Sequence, residues 1–136
     1  MAHSYHHAVS SARKFGGRPD DYVHVHTWLD RSKELLADFR HRALRHHAEG
    51  IFMAETLYGV TLVNSAGREV PVRLIAEQHI LEDLGRIPSF ADWVRCIRPE
   101  PWMGRRGTLL DAIETVGVLD VLPDRNLPVR APDFPD

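Results

Sequence analysis

The sequence predicts an α+β, mostly α fold: a compact bundle around one long central helix, with a single β-hairpin. Apolar residues recur at helical spacing in several stretches, the longest running from about Trp28 to Tyr58. Two runs of strand-forming residues flank a turn-rich loop at 64–67, which indicates the hairpin. A chain of 136 residues has room for one core, so a two-domain enzyme is excluded.

Each element has its own local signal. Gly16 and Gly17 end the first helix, Gly85 is a left-handed cap for a later one, and Ser89 caps the next. Pro71 cannot donate to a strand ladder, so its strand should lie at an edge or should place Pro71 at a position without a ladder hydrogen bond. The predicted elements are, in order, a helix over 2–15, a turn or extended bridge over 20–26, the central helix over about 28–58, strands at 60–63 and 69–74, and helices over 75–84 and 90–97.

The domain boundary is predicted near residue 102. Residues 1–102 form a single globular domain, and residues 103–136 form a short amphipathic helix followed by an acidic, Pro-rich tail. We expect that tail to be partly disordered or to contact a partner or a second subunit.

Composition excludes several functional classes. No window approaches the roughly 20 apolar residues that span a bilayer, so membrane insertion is excluded, and the N-terminus lacks a signal-peptide run, which favours the cytoplasm. The net charge of -2 argues against nucleic-acid binding, although 15 of the 17 basic residues are Arg. One cysteine cannot form a CxxC zinc site, and the absence of a phosphate-binding glycine loop argues against a nucleotide cofactor.

Histidine is the unusual residue, with nine copies in the chain. On a straight central helix His46 lies five turns after Trp28 and faces the core, as a hydrogen-bonded core imidazole, a metal ligand or a catalytic base. His41 points to another face, and Arg42 could pair with the same anionic group as His46. The sequence therefore offers His46 as a candidate and leaves its role open.

The third helix carries a second candidate pair. His79 and Asp83 are spaced i, i+4 and share a face, so Asp83 could be a co-ligand or could orient the ring. A simple surface pair is the alternative. Glu77 points some 160° away and would act only from another face or a distorted helix start.

The remaining histidines come in pairs near the N-terminus. His3 and His7 are spaced i, i+4, which suits metal capture but also a solvated polar face. His24 and His26 would point the same way from an extended segment, and only one of them need matter.

A longer pattern joins these residues. It comprises His7, Lys14-Phe15-Gly16-Gly17, Asp21-Tyr22, His26, Asp30, Ser32-Lys33, His41-Arg42, His46, Gly50-Ile51, Asn64-Ser65, Val72-Arg73, Glu77-Gln78-His79, Glu82-Asp83-Leu84-Gly85, Ile87-Pro88 and Asp92-Trp93. Over about residues 3 to 102, it resembles a small uncharacterised family of bacterial and phage-encoded proteins, a domain of unknown function. The resemblance implies a mobile-element setting and no chemistry. It favours His7, His26, His41, His46 and His79 and leaves His3, His24 and His47 incidental.

Two functional hypotheses follow. In the first, a metal-dependent, hydrolase-like site acts on an anionic substrate such as a phosphoester. The divalent ion, zinc slightly ahead of manganese or iron, is held by ligands from His46, His79, His7, His26 and His41, and the catalytic groups are Asp83, Glu77, Arg42 and Lys33. In the second, the chain is a non-catalytic phage or prophage accessory protein or protein-binding domain. Its His, Asp and Arg groups then form a structural polar network, and a homo-oligomer is one possible assembly.

Overall fold

A computed structural model describes residues 3–104 of the chain. Its helices and strands are, in order, α1 (Ser4–Phe15), α2 (Val23–Asp30), α3 (Ala48–Tyr58), β1 (Thr61–Val63), β2 (Glu69–Pro71), α4 (Val72–Leu84) and α5 (Phe90–Val94), with short 3-10 turns at Pro19–Asp21, Arg31–Glu34, Phe39–Leu44 and Pro101–Met103. The mostly α fold with one hairpin is therefore confirmed.

The helices pack around one apolar core. α1, α2 and α4 contact one another, and α3 lies against α2 and α4. Burying these apolar side chains is the main term that stabilises the arrangement. The core consists of Ala8, Phe15, Tyr22, Val25, Leu29, Ile51, Ala54, Val70, Val72, Ile75, Ala76 and Ile80.

The hairpin leads directly into α4. β1 and β2 are antiparallel, and Thr61 pairs with Pro71 at the end of a two-stranded sheet, so the proline occupies an edge strand as predicted. Helix α4 begins at the next residue and ends at Gly85, whose φ of 71° is the left-handed cap expected from the sequence.

The long central helix was a wrong prediction, because the stretch from Trp28 to Tyr58 is interrupted between α2 and α3. The side chain of Asp38 accepts the Arg40 N–H and starts a new turn, and the side chain of His47 accepts the Gly50 N–H at 2.9 Å as the cap of α3. A Cβ on Gly50 would lie 1.9 Å from the Arg45 carbonyl oxygen, so the incoming chain lies directly on α3.

The prediction of a turn or extended bridge over 20–26 was also wrong for residues 23–26, which are helical. Helix α2 begins at Val23, so His24 and His26 lie on different faces: His24 is exposed, whereas His26 is fully buried.

The chain divides into two units between Phe90 and Ala91. The site described below lies wholly within the first unit. The predicted amphipathic helix and acidic tail, beyond residue 104, lie outside the described residues, and the boundary near residue 102 stays a prediction. Within 3–104, no helix combines the length and the apolar character needed to cross a bilayer.

Candidate metal centre

Four side chains from three parts of the chain converge on one buried point. Asp30 is the last residue of α2, His46 lies in the irregular segment before α3, and His79 and Asp83 lie one turn apart on α4. One ligand atom from each of the four lies within 4.8 Å of the others. The i, i+4 pair predicted on α4 therefore meets His46, and the fold adds Asp30.

The distances between the ligand atoms are short and similar. His46 Nε2 lies 3.2 Å from His79 Nε2, 3.0 Å from Asp83 Oδ2 and 3.5 Å from Asp30 Oδ1. His79 Nε2 lies 3.2 Å from Asp30 Oδ1 and 3.4 Å from Asp83 Oδ2. Five edges of the four-atom cluster thus fall between 3.0 and 3.5 Å.

Both carboxylates are ionised. His46 and His79 are fully buried, and the side chains of Asp30 and Asp83 are 6% and 4% exposed. Burial alone would raise the pKa of each carboxyl, but hydrogen bonds and charge from neighbouring side chains, His46 first for both, outweigh it and hold both pKa values well below the ordinary range. The centre therefore holds two ionised carboxylates that are almost fully shielded from water.

Asp83 is held at its second oxygen. Asp83 Oδ1 lies 3.3 Å from His7 Nε2 and 3.6 Å from Arg42 Nη2, while Oδ2 faces the cluster. The other ring nitrogen of His7 lies 3.3 Å from Glu82 Oε1. Burial lowers the pKa of His7, but hydrogen bonds and charge from Asp83 and Glu82 outweigh it and raise that pKa above the ordinary value of 6.5. His7 thus lies between two carboxylates, one at each of its ring nitrogens.

Asp30 is held in the same manner. The Ser4 hydroxyl donates to Asp30 Oδ2 at 3.2 Å, and Lys33 Nζ lies 3.4 Å from the same oxygen. Oδ1 faces His46 and His79. Each carboxylate therefore offers one oxygen to the centre and has the other fixed by a cation and a further polar group.

Behind His79 a hydrogen-bonded chain leads to α1. His79 Nδ1 lies 3.0 Å from His26 Nδ1, and His26 Nε2 lies 2.7 Å from Ser11 Oγ. Burial, together with the nearby His79 and His7 rings, lowers the pKa of His26 to about 2, so this ring is neutral. Ser11 in turn contacts Gln78, and the His7 ring lies tilted by 35° against the His79 ring, with ring centroids 3.9 Å apart.

His41 lies beside the cluster and outside it. Its ring meets His46 edge-on at 5.5 Å between centroids, and its Nδ1 lies 2.8 Å from Ser32 Oγ. Burial lowers the pKa of His41. Its Nε2 is buried with no hydrogen-bond partner among the residues that the structure describes.

The structure sorts the predicted site residues into three groups. His46, His79 and Asp83 supply atoms to the cluster. Four further predicted residues contact a member of the cluster without supplying a ligand atom to it: His7, His26, Arg42 and Lys33. His41 contacts the ring of His46 from outside the cluster. Glu77 is half-buried on α4 and lies outside the cluster.

Asp30 is the residue that sequence reasoning missed. His26 and Asp30 have the same i, i+4 spacing on α2 that His79 and Asp83 have on α4. Placing residues 20–26 in an extended bridge concealed this repetition, because the spacing has a meaning only on a helix.

Comparison with known proteins assigns the chain to a family but does not assign it an activity. No curated protein and no solved structure matches the chain. The match to one family covers residues 2–103 and so includes every residue of the centre. The chain belongs to the family described as a domain of unknown function, DUF6915.

Proposed function

We propose that this protein binds a divalent metal ion at the centre formed by Asp30, His46, His79 and Asp83. The observation that carries the proposal is the spacing of the four ligand atoms. A tetrahedron of ligands at about 2.0–2.1 Å from a metal has edges of about 3.3–3.4 Å. The five edges of 3.0–3.5 Å scatter closely around that value.

The donor set favours zinc. Two imidazole nitrogens and two carboxylate oxygens are ligands that zinc accepts in a four-coordinate, tetrahedral arrangement. Magnesium and calcium prefer six or more oxygen ligands, and manganese also favours oxygen-rich octahedral sites. Two ionised carboxylates balance the charge of one divalent ion, which lowers the cost of burying it.

Metal analysis tests the proposal. Untagged protein, stripped with a chelator and titrated with zinc, should bind one ion per chain. His46→Ala and His79→Ala should abolish that binding, whereas His24→Ala, an exposed histidine on α2, should leave it unchanged. Circular dichroism would show whether each variant folds. Failure of the folded wild-type chain to bind zinc, manganese or iron would contradict the proposal whatever the variants do.

Hydrolysis of an anionic substrate is a second candidate, favoured by one feature of the surface. Asp30 and Lys33 line a cleft of about 400 Å³. With a divalent ion balanced by the two ligand carboxylates, the neighbouring Lys33 and Arg42 would leave the centre with a net positive charge that attracts a phosphoester. A metal-bound water or substrate would have to enter as an additional ligand, because four protein atoms already complete a tetrahedron.

Turnover assays separate this second candidate from metal binding alone. Zinc-loaded and manganese-loaded protein should hydrolyse p-nitrophenyl phosphate or bis-p-nitrophenyl phosphate, and Lys33→Met should slow turnover while keeping the metal. Arg31→Met is the matched control, since Arg31 lines the same cleft and pairs only with Glu34 in the contacts seen. No turnover by loaded wild-type protein would leave a metal-binding domain without this activity.

A further inference from the structure

We infer that His26 is a positioning residue that sets the tautomer of His79, so that His79 Nε2 presents a lone pair to the metal. The inference deepens the proposed function and rests on it for its consequence in metal affinity. Its claim about the protons on His79 applies to the metal-free chain as well. The hydrogen-bonded chain behind His79 carries the argument, because each of its links has a fixed direction.

The direction is set at Gln78. The amide nitrogen of Gln78 lies 3.1 Å from the His7 carbonyl oxygen and 2.5 Å from Glu82 Oε1, and both of these atoms can only accept. The amide is therefore oriented with its nitrogen towards His7 and Glu82. Its oxygen, which can only accept, then faces Ser11.

Ser11 passes this direction to His26. Ser11 Oγ lies 2.7 Å from Gln78 Oε1 and has one proton, so the hydroxyl must donate to Gln78. The contact of 2.7 Å between Ser11 Oγ and His26 Nε2 then needs a proton from the ring. His26 thus has its proton on Nε2. Reversing the serine would place two bare oxygens 2.7 Å apart in a buried site.

His26 passes the direction to His79. The ring nitrogens of His26 contact Ser11 and His79 and no carboxylate that would stabilise an imidazolium, so a proton on Nε2 leaves a lone pair on Nδ1, which lies 3.0 Å from His79 Nδ1. His79 must therefore donate from Nδ1. The other nitrogen, Nε2, faces the centre, where Asp30 Oδ1 and Asp83 Oδ2 are both acceptors. A metal cation bound between His79 Nε2 and these two oxygens would accept electron density from all three atoms.

The four side chains of this hydrogen-bonded series are buried, so water does not compete for their donors and acceptors. Ser11, His26 and His79 are fully buried, and Gln78 is 7% exposed. Both ring nitrogens of His26 are used, one towards Ser11 and one towards His79. His26 is for this reason a partner of a ligand and not a ligand, the role that carboxylates or carbonyls commonly take towards metal-bound histidines.

Two substitutions at His26 separate positioning from packing. The amide oxygen of Asn can occupy the place of an imidazole Nδ1, so His26→Asn keeps an acceptor for His79. The amide of Gln reaches the place of Nε2, so His26→Gln keeps a partner for Ser11 and loses that acceptor. We expect zinc affinity close to wild type for His26→Asn and roughly 10- to 100-fold weaker for His26→Gln.

Imidazole ¹⁵N NMR spectra of the full, metal-free chain provide the second readout. We expect a protonated Nδ1 on His79 in wild type and His26→Asn, and a mixture of tautomers in His26→Gln. Ser10→Ala, beside Ser11 on α1, is the control for disturbance of that helix. Wild-type spectra suffice for this test if either variant fails to fold.

The outcomes distinguish the two proposals. A bare Nδ1 on His79 in wild type, or an equal loss of zinc affinity in both folded His26 variants, would overturn the role of His26. A wild-type chain with a protonated His79 Nδ1 that binds no divalent metal would overturn the proposed function and leave the tautomer assignment standing.

Discussion

Two polar clusters of this protein satisfy their hydrogen-bonding groups in different ways. One is the candidate metal centre. The other, the hairpin anchor, consists of Asn64 and Ser65 in the hairpin loop and Asp21 and Tyr22 after α1. Both clusters join segments that are distant in sequence. The side chains of the candidate metal centre are buried, as are Asn64 and Tyr22, whereas Ser65 is exposed and Asp21 is partly exposed. They differ in whether donors and acceptors balance.

The hairpin anchor is balanced. The amide nitrogen of Asn64 donates to the Phe15 carbonyl and to the Tyr22 hydroxyl, and its oxygen accepts the Ala66 and Arg68 N–H groups at 3.0 Å each. All four hydrogen-bonding positions of this amide are therefore used. The Tyr22 hydroxyl in turn donates to the Gly16 carbonyl at 2.7 Å.

The metal centre has a surplus of acceptors. With His79 in the tautomer inferred above, the two carboxylate oxygens and the lone pair of His79 Nε2 all lie 3.0–3.5 Å from His46 Nε2, and a single ring proton there cannot serve all three. A structural network would pair each of these atoms with a donor. The comparison teaches that burial alone does not identify a binding site, whereas several acceptors that converge on one point mark a position that could hold a cation.

The largest expected effect concerns the response of stability to metal. A ligand that binds only the folded chain, at about 1,000 times its Kd, raises the free energy of unfolding by about 4 kcal/mol. Zinc should therefore raise the Tm of wild type and of Asn64→Ala alike. Asp30→Asn should abolish this response, and Glu34→Gln, a change at an exposed carboxylate of the neighbouring turn, should not. Equal zinc responses in Asp30→Asn and wild type would remove the distinction between the clusters.

A smaller effect should follow from opening the hairpin anchor. Asn64→Ala leaves the N–H groups of Ala66 and Arg68 without their acceptor, and we expect a loss of about 2–3 kcal/mol in urea unfolding. Asn64→Asp keeps that acceptor and loses both donors, so it should be intermediate. Zinc affinity should be unchanged in both, and a large change would show that the clusters are coupled.

The smallest effect is expected at Asp21. Its carboxylate accepts the N–H groups of Arg18 and Ser65 and the Ser65 hydroxyl, which lower its pKa below the ordinary 3.8. A lowered pKa in the folded state adds stability above the unfolded pKa, and this is lost as the pH falls through the folded pKa. Asp21→Asn should therefore flatten the acid limb of a stability curve below about pH 4, measured by denaturant unfolding. An unaltered acid limb would assign that limb to other carboxylates.

Local signals in the sequence were sufficient for several elements. The glycine cap ended α4 at Gly85, the turn-rich loop produced the hairpin, and helical spacing placed His79 and Asp83 on one face. These features depend on residues within one or two turns of each other. The resemblance to a domain-of-unknown-function family was likewise confirmed by the family match.

The wrong predictions share a cause. The apolar stripe from Trp28 to Tyr58 fits a straight helix, but α2 ends at Asp30, and the N-caps Asp38 and His47 begin new helical segments. Those polar groups have two uses, on a helix surface or as caps, and periodicity cannot choose between them. The choice depends on what packs against each segment, as the contact of Gly50 with the Arg45 carbonyl illustrates.

By itself, then, the sequence determined the type of fold, the hairpin, the cap of α4 and a set of histidines whose number exceeds ordinary structural needs. Only the tertiary structure decided that Asp30 and His46 join His79 and Asp83, and that His7 and His26 stand behind them. The physical reason is the separation along the sequence between the residues that interact. Helix caps and turns depend on neighbours along the chain, whereas a cluster of ligand atoms depends on how separate helices pack, which the apolar core fixes only when the whole chain folds.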